Sequence, residues 1–184
     1  ILSYEEILKI VKIGTELGIK KIRITGGEPL VRLEVEDLIS KLNQLDLDDI
    51  SMTSNAVLLA NKAEKLKKSG LDRINISLDT LDPKKFKEIT RRDNLDQVLK
   101  GIKAAVKAEL NPVKLNVVLM KGINDDELFD FVELSRREKL SIRFIEYMPL
   151  GGEAEAEKFI SSRVIKNLII IINLQELKYF QLVI

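Results

Sequence analysis

Cysteine, histidine and tryptophan are all absent from the 184 residues. Without a thiol or an imidazole, disulfides, thiol nucleophiles, imidazole bases and nearly every zinc or iron–sulfur site lose their usual ligands. No apolar run approaches the roughly 20 residues of a membrane-spanning helix. The opening Ile1-Leu2-Ser3-Tyr4-Glu5-Glu6 has neither the basic nor the apolar region of a signal peptide, so the cytoplasm is the expected compartment and a membrane is not an expected partner. Charge of one sign is missing too. The 30 basic and 29 acidic side chains nearly cancel, no global field draws the chain toward nucleic acid, and any anion must be met by a local site.

What is present is aliphatic. Hydrophobic residues make up 45% of the chain and aromatics only 5%, the profile of an α/β protein. The length suits one domain, shorter than the roughly 250 residues of a complete eight-unit barrel. Ser3 and Glu6 have capping-box spacing, Ile7, Ile10, Val11 and Leu17 recur with helical period, and Gly18 offers a stop. A strand from Lys21 to Thr25 breaks at Gly26-Gly27. A helix carrying Val35, Leu38, Ile39, Leu42 and Leu45 on one face follows. Further strands are expected over Ile50 to Ser54, Arg73 to Leu78, Val113 to Met120 and Ser141 to Tyr147. Between them fall helices over Leu58 to Ser69, closed by Gly70, after Pro83, over Leu95 to Val106, and from a cap at Asn124 and Glu127 to about Lys139. Such alternation requires crossover connections, hence parallel strands with outer helices. Residues 1–162 are expected to form a partial βα barrel. In the remaining 163–184, Leu168 to Ile172 and Phe180 to Ile184 read as an edge strand or two, or as a segment that packs against something else.

Parallel strands covered on both faces usually read as continuous apolar runs. Here Ile22 and Ile24 alternate with Arg23 and Thr25, Ile50 and Met52 with Ser51 and Thr53, Ile74 and Ile76 with Arg73, Asn75 and Ser77, and Leu115 and Val117 with Lys114 and Asn116. One face of each strand is therefore polar. Burying such groups unpaired costs about a few kcal/mol each, so that face is expected to hold water or a ligand. In barrels the binding residues gather at the C-terminal strand ends. There the chain carries Gly26-Gly27-Glu28-Pro29, Thr53-Ser54-Asn55 and Ser77-Leu78-Asp79.

Arg23-Ile24-Thr25-Gly26-Gly27-Glu28-Pro29, Thr53-Ser54-Asn55, Ser77-Leu78-Asp79, Lys114-Leu115-Asn116-Val117-Val118 and Arg143-Phe144-Ile145-Glu146-Tyr147-Met148-Pro149 occur in that order. Together they closely resemble the molybdenum cofactor biosynthesis protein A family of radical S-adenosylmethionine enzymes, from about Ile1 to Ser162. The resemblance implies an α/β fold, a partial radical SAM barrel with parallel strands and outer helices. It also implies a GTP 3',8-cyclase, in which S-adenosylmethionine is cleaved at a 4Fe-4S cluster and the resulting radical takes hydrogen from the GTP ribose, toward a cyclic pterin precursor. By the same resemblance Gly27, Glu28, Ser77 and Met148 contact S-adenosylmethionine, with Glu28 near its amino group, and Arg23, Thr53 and Lys114 contact GTP. A homodimer and the downstream enzymes of molybdenum cofactor synthesis are the implied partners. Met148 lies off the polar parity, on that of Phe144. A structural alternative pairs Arg23 or Lys114 with Glu146 or Asp79, and Asp46, Asp48 and Asp49 suggest either a cation site or a solvated helix exit.

The family holds one cluster on a C-x-x-x-C-x-x-C loop and a second on three cysteines near its C-terminus. Neither motif is here, so this chain supplies no catalytic residue and no metal ligand of its own and is expected to be inactive alone. Ala56 stands where the family pattern has Gly in an Asn-Gly turn, and Glu109 where Gly would end a helix. If either backbone is left-handed, the side chain costs about 1 kcal/mol. The alternative functions are a noncatalytic barrel fragment and a radical enzyme for another substrate.

Overall fold

The structure is a computed structural model, and it describes residues 2–149, 156–165 and 180–183. In chain order the elements are α1 (Tyr4–Glu16), β1 (Lys21–Ile24), α2 (Val35–Leu42), β2 (Asp49–Ser54), α3 (Ala63–Lys68), β3 (Arg73–Ser77), α4 (Pro83–Thr90), α5 (Leu95–Lys107), β4 (Val113–Leu119), α6 (Leu128–Arg137), β5 (Leu140–Glu146) and β6 (Phe180–Val183). Strand order in the sheet follows chain order. The chain divides into two compact units, 1–76 with 96–113 and 77–95 with 114–184. No helix among the described residues is long and apolar enough to cross a membrane.

In the first unit the expected capping box forms. Ser3 Oγ accepts from the Glu6 N–H at 3.2 Å, and the Ser3 N–H donates to Glu6 Oε2 at 2.7 Å. Helix α1 then closes at Gly18, φ 89°, where the Gly18 N–H reaches Thr15 O and the Ile19 N–H reaches Gly14 O, the paired bonds of a Schellman end. The helix expected over Leu58 to Ser69 is instead two pieces. A 3-10 turn over Leu59–Asn61 is separated from α3 by Lys62, whose φ of −118° leaves the helical range.

Strands β1, β2 and β3 are parallel, with Arg23 opposite Ser51, Ser51 opposite Arg73 and Thr53 opposite Asn75. Arg23, Ser51, Thr53, Arg73 and Asn75 therefore share one face, and Ile22, Ile24, Ile50, Met52, Ile74 and Ile76 the other, as the alternation predicts. The polar face is drier than expected. Ser51 and Asn75 are each 1% exposed; Ser51 Oγ donates to Ile22 O at 3.0 Å and Arg73 forks onto Asp49 at 2.6 and 2.7 Å. Pairing within the sheet replaces much of the water.

In the second unit β4 alternates buried Leu115, Val117 and Leu119 with half-buried Lys114, Asn116 and Val118. Helix α6 packs on β5, where the Phe131 and Phe144 rings meet edge to face at 6.2 Å. Strand β6 pairs in parallel with β5, Ile142 opposite Phe180. The strand expected over Leu168 to Ile172 lies outside the described residues. Asn124 and Glu127 correct another expectation, since neither side chain caps α6. Both turn instead to the segment after β3.

Candidate functional site

The loop after β1 is shaped by two consecutive left-handed glycines, Gly26 at φ 98° and Gly27 at φ 50°. A β-carbon added to either would meet nothing within 4 Å, so this backbone is open to a ligand. Glu28 follows, and its carboxylate ties the loop to the end of β2. Oε1 accepts from the Leu30 N–H at 3.0 Å and Ser54 Oγ at 2.8 Å, and Oε2 accepts from the Asn55 N–H at 2.7 Å. With about four lone-pair sites on a carboxylate, one stays open to a further donor such as an ammonium group. Ser54 Oγ in turn accepts from the Ala56 N–H at 2.9 Å.

Gly27, Glu28 and the two residues after Thr53 are thus brought together in the first unit. Thr53 is half-buried on the same sheet face as Arg23. The Arg23 side chain is exposed and makes no hydrogen bond or ion pair among the described residues.

In the second unit Ser77 is exposed at the end of β3, Lys114 is half-buried on β4, and Met148 lies past β5 with 73% of its surface in solvent. The segment after Ser77 is held by Asn124 and Glu127, whose spacing predicts a helix cap. Asn124, fully buried, donates to Asp79 O at 2.6 Å and Val118 O at 2.9 Å and accepts from the Met120 N–H at 2.7 Å. Glu127 accepts from Thr80 Oγ1 at 2.6 Å and from the N–H groups of Leu81 and Asp82 at 2.6 and 3.2 Å. Asp79 Oδ1 accepts from the Val118 N–H at 2.8 Å. Burial pushes its carboxyl above the usual carboxylate range, and that one hydrogen bond offsets only part of the rise. Glu146 accepts from the Ser162 N–H.

The acidic run at 46–49 is engaged by basic side chains. Asp46 pairs with Lys20 and Asp49 with Arg73, and among the described residues no group of three metal-ligating side chains occurs.

The family model of the Radical SAM superfamily matches residues 1–135. The chain belongs to the radical SAM superfamily. It is 60% identical over 152 residues to a GTP 3',8-cyclase of Petrotoga mobilis, covering 82% of this chain and 47% of that protein. A GTP 3',8-cyclase of Syntrophomonas wolfei is 55% identical with the same coverage. The chain spans about half the length of the curated relatives it matches. Among solved structures, Streptococcus suis SuiB bound to S-adenosylmethionine superposes with a TM-score of 0.79 at 19% identity, over 99% of this chain and 43% of that one. A domain of pyruvate-formate lyase-activating enzyme from Bacteroides vulgatus gives 0.69 at 16%, over 89% and 99%. These likenesses carry the partial-barrel fold.

The radical SAM fold implies S-adenosylmethionine and an iron–sulfur cluster, and the two fare differently here. The bare backbone at Gly26 and Gly27 and the open lone pair of Glu28 fit an amino-acid-bearing nucleoside. A cluster needs thiolates, the chain has no cysteine, and its residues do not fit one.

Proposed function

We propose that this chain is part of a GTP 3',8-cyclase, the portion that cradles S-adenosylmethionine and GTP. The observation that carries the reading is 60% identity to a cyclase over 82% of the chain. The chemistry of the proposed contacts supports it.

Gly27 lets a ligand approach the backbone, Glu28 offers an acceptor for the amino group of S-adenosylmethionine, Ser77 offers a hydroxyl, and exposed Met148 a polarisable thioether. Arg23 and Lys114 supply positive charge and Thr53 a hydroxyl for GTP. The chain's own part is binding and orientation. Radical generation belongs to cysteine ligands that this chain does not have, and no turnover is expected from it alone. Residence in the cytoplasm, a homodimer, and a product consumed by later enzymes of molybdenum cofactor synthesis complete the proposal.

Calorimetric titration of the folded chain tests it. Saturable binding of GTP and of S-adenosylmethionine, the first weakened by Arg23→Ala, is the expected result. Binding of neither overturns the reading.

A further inference from the structure

Asn75 sits in the middle of β3, opposite Thr53 on β2, and is 1% exposed. Both polar atoms of its side chain, Oδ1 and Nδ2, are buried without a hydrogen-bond partner. Its neighbours on the same face are satisfied, Ser51 by Ile22 O at 3.0 Å and Arg73 by Asp49 at 2.6 Å. Asparagine is also a poor strand former, so neither local preference nor the sheet accounts for it. A group held at this cost in a native fold calls for a reason.

We propose that Asn75 is a ligand-contacting residue, its amide reserved for a group on a bound nucleoside that both gives and takes a hydrogen bond. This rests on the reading that the chain binds GTP and S-adenosylmethionine, and deepens it by one residue. The amide presents a donor and an acceptor side by side, complementary to a sugar hydroxyl or the amide edge of a base. Because the amide is covered in the free chain, the contact forms as the ligand displaces what covers it. Thr53, half-buried directly opposite, borders the same place. On β4 the side-chain oxygen of Asn116 is likewise buried and unpaired, a second instance on a polar-parity position.

The proposal separates stability from binding. A structural asparagine loses stability on replacement by an apolar residue, whereas a ligand contact with unpaired atoms gains it. Asn75→Leu, with Asn75→Val as a smaller variant should Leu not fold, is compared with the unsubstituted 184-residue chain by thermal unfolding and by titration with GTP and S-adenosylmethionine separately. The expected result is a higher Tm together with at least about a tenfold loss of affinity. The ligand that suffers the loss is the one Asn75 contacts. A lower Tm, or unchanged affinity for both ligands, overturns the contact alone. Failure of the unsubstituted chain to bind either ligand overturns the functional reading and the contact with it.

Discussion

Gly101 on α5 lies against the carbonyl oxygen of Ala56, so that a β-carbon added to it would overlap that oxygen and come 3.2 Å from Leu59 Cβ. Ala56 is itself fully buried at φ 61°, so a turn that favours glycine carries a methyl group and the glycine sits across from it. Gly101→Ala gains about 1 kcal/mol of helix propensity. The atom it strikes is backbone, which cannot rotate away, and overpacking of about 1–3 kcal/mol outweighs the gain. The urea midpoint is expected to fall with an unchanged m-value. Ala56→Gly relieves about 1 kcal/mol of left-handed strain and forfeits about 0.8 kcal/mol of buried methyl, so its midpoint should barely move.

Glu109 gives the opposite balance. Helices α1 and α3 end at Gly18 and Gly70, φ 89° and 102°, and α5 makes the same pair of bonds, Glu109 N–H to Val106 O and Leu110 N–H to Ala105 O, with Glu109 at φ 58°. The Glu109 side chain is exposed and no packing offsets its strain. Glu109→Gly should stabilise by about 1 kcal/mol, a rise of about 2–4 °C in Tm. A Tm at or below that of the parent would mean that the strain is taken up elsewhere.

Glu28 bonds to three donors from two loops, and Glu28→Gln replaces one accepting oxygen with a donor. Either orientation of the amide sets that donor against a donor already there, Asn55 N–H or Leu30 N–H with Ser54 Oγ, at a cost of about 2 kcal/mol. Hydrogen exchange at the Leu30 and Asn55 amides is expected to accelerate while amides of α6 are unchanged. Uniform acceleration would instead indicate global destabilisation.

The Asp79 carboxyl has its pKa raised by burial, so the folded state disfavours its ionised form. The sign follows from linkage. The stabilising contribution of this group is full below the unfolded carboxylate pKa and is lost as pH rises through the folded value. Asp79→Asn, which keeps an acceptor for the Val118 N–H at 2.8 Å, should therefore raise Tm at neutral pH, with the advantage vanishing in acid. An advantage independent of pH would assign the effect to packing.

What the sequence disclosed and what it hid divide along physical lines. Period-two alternation and glycine stops placed β1 to β5 and the ends of α1 and α3, because those signals are local. The left-handed backbone suspected at Ala56 and Glu109 is there. Asn124 and Glu127 misled, since their spacing satisfies a capping box while their side chains reach across 45 and 47 residues to Asp79 and Thr80. Nothing local distinguishes a cap from a long-range acceptor. Asn75 was legible only as one of the polar alternating residues. Its unpaired state depends on what surrounds it.

The Glu127 cluster yields the last expectation. Its oxygens take Thr80 Oγ1, two backbone N–H groups and Lys85 Nζ at 3.2 Å, and Thr80 Oγ1 also accepts from the Asp82 N–H at 3.0 Å. Glu127→Gln can keep its oxygen on Leu81 and turn its NH2 toward Thr80 Oγ1, a hydroxyl able to accept, so it should cost only about 1 kcal/mol. Glu127→Ala leaves Leu81 N–H without its acceptor, opens a cavity in a residue that is 6% exposed, and should cost about 3 kcal/mol or more. Chemical denaturation of both variants checks the order. Equal losses from Gln and Ala would make the charge on Lys85, rather than the backbone of the segment after Ser77, what Glu127 serves.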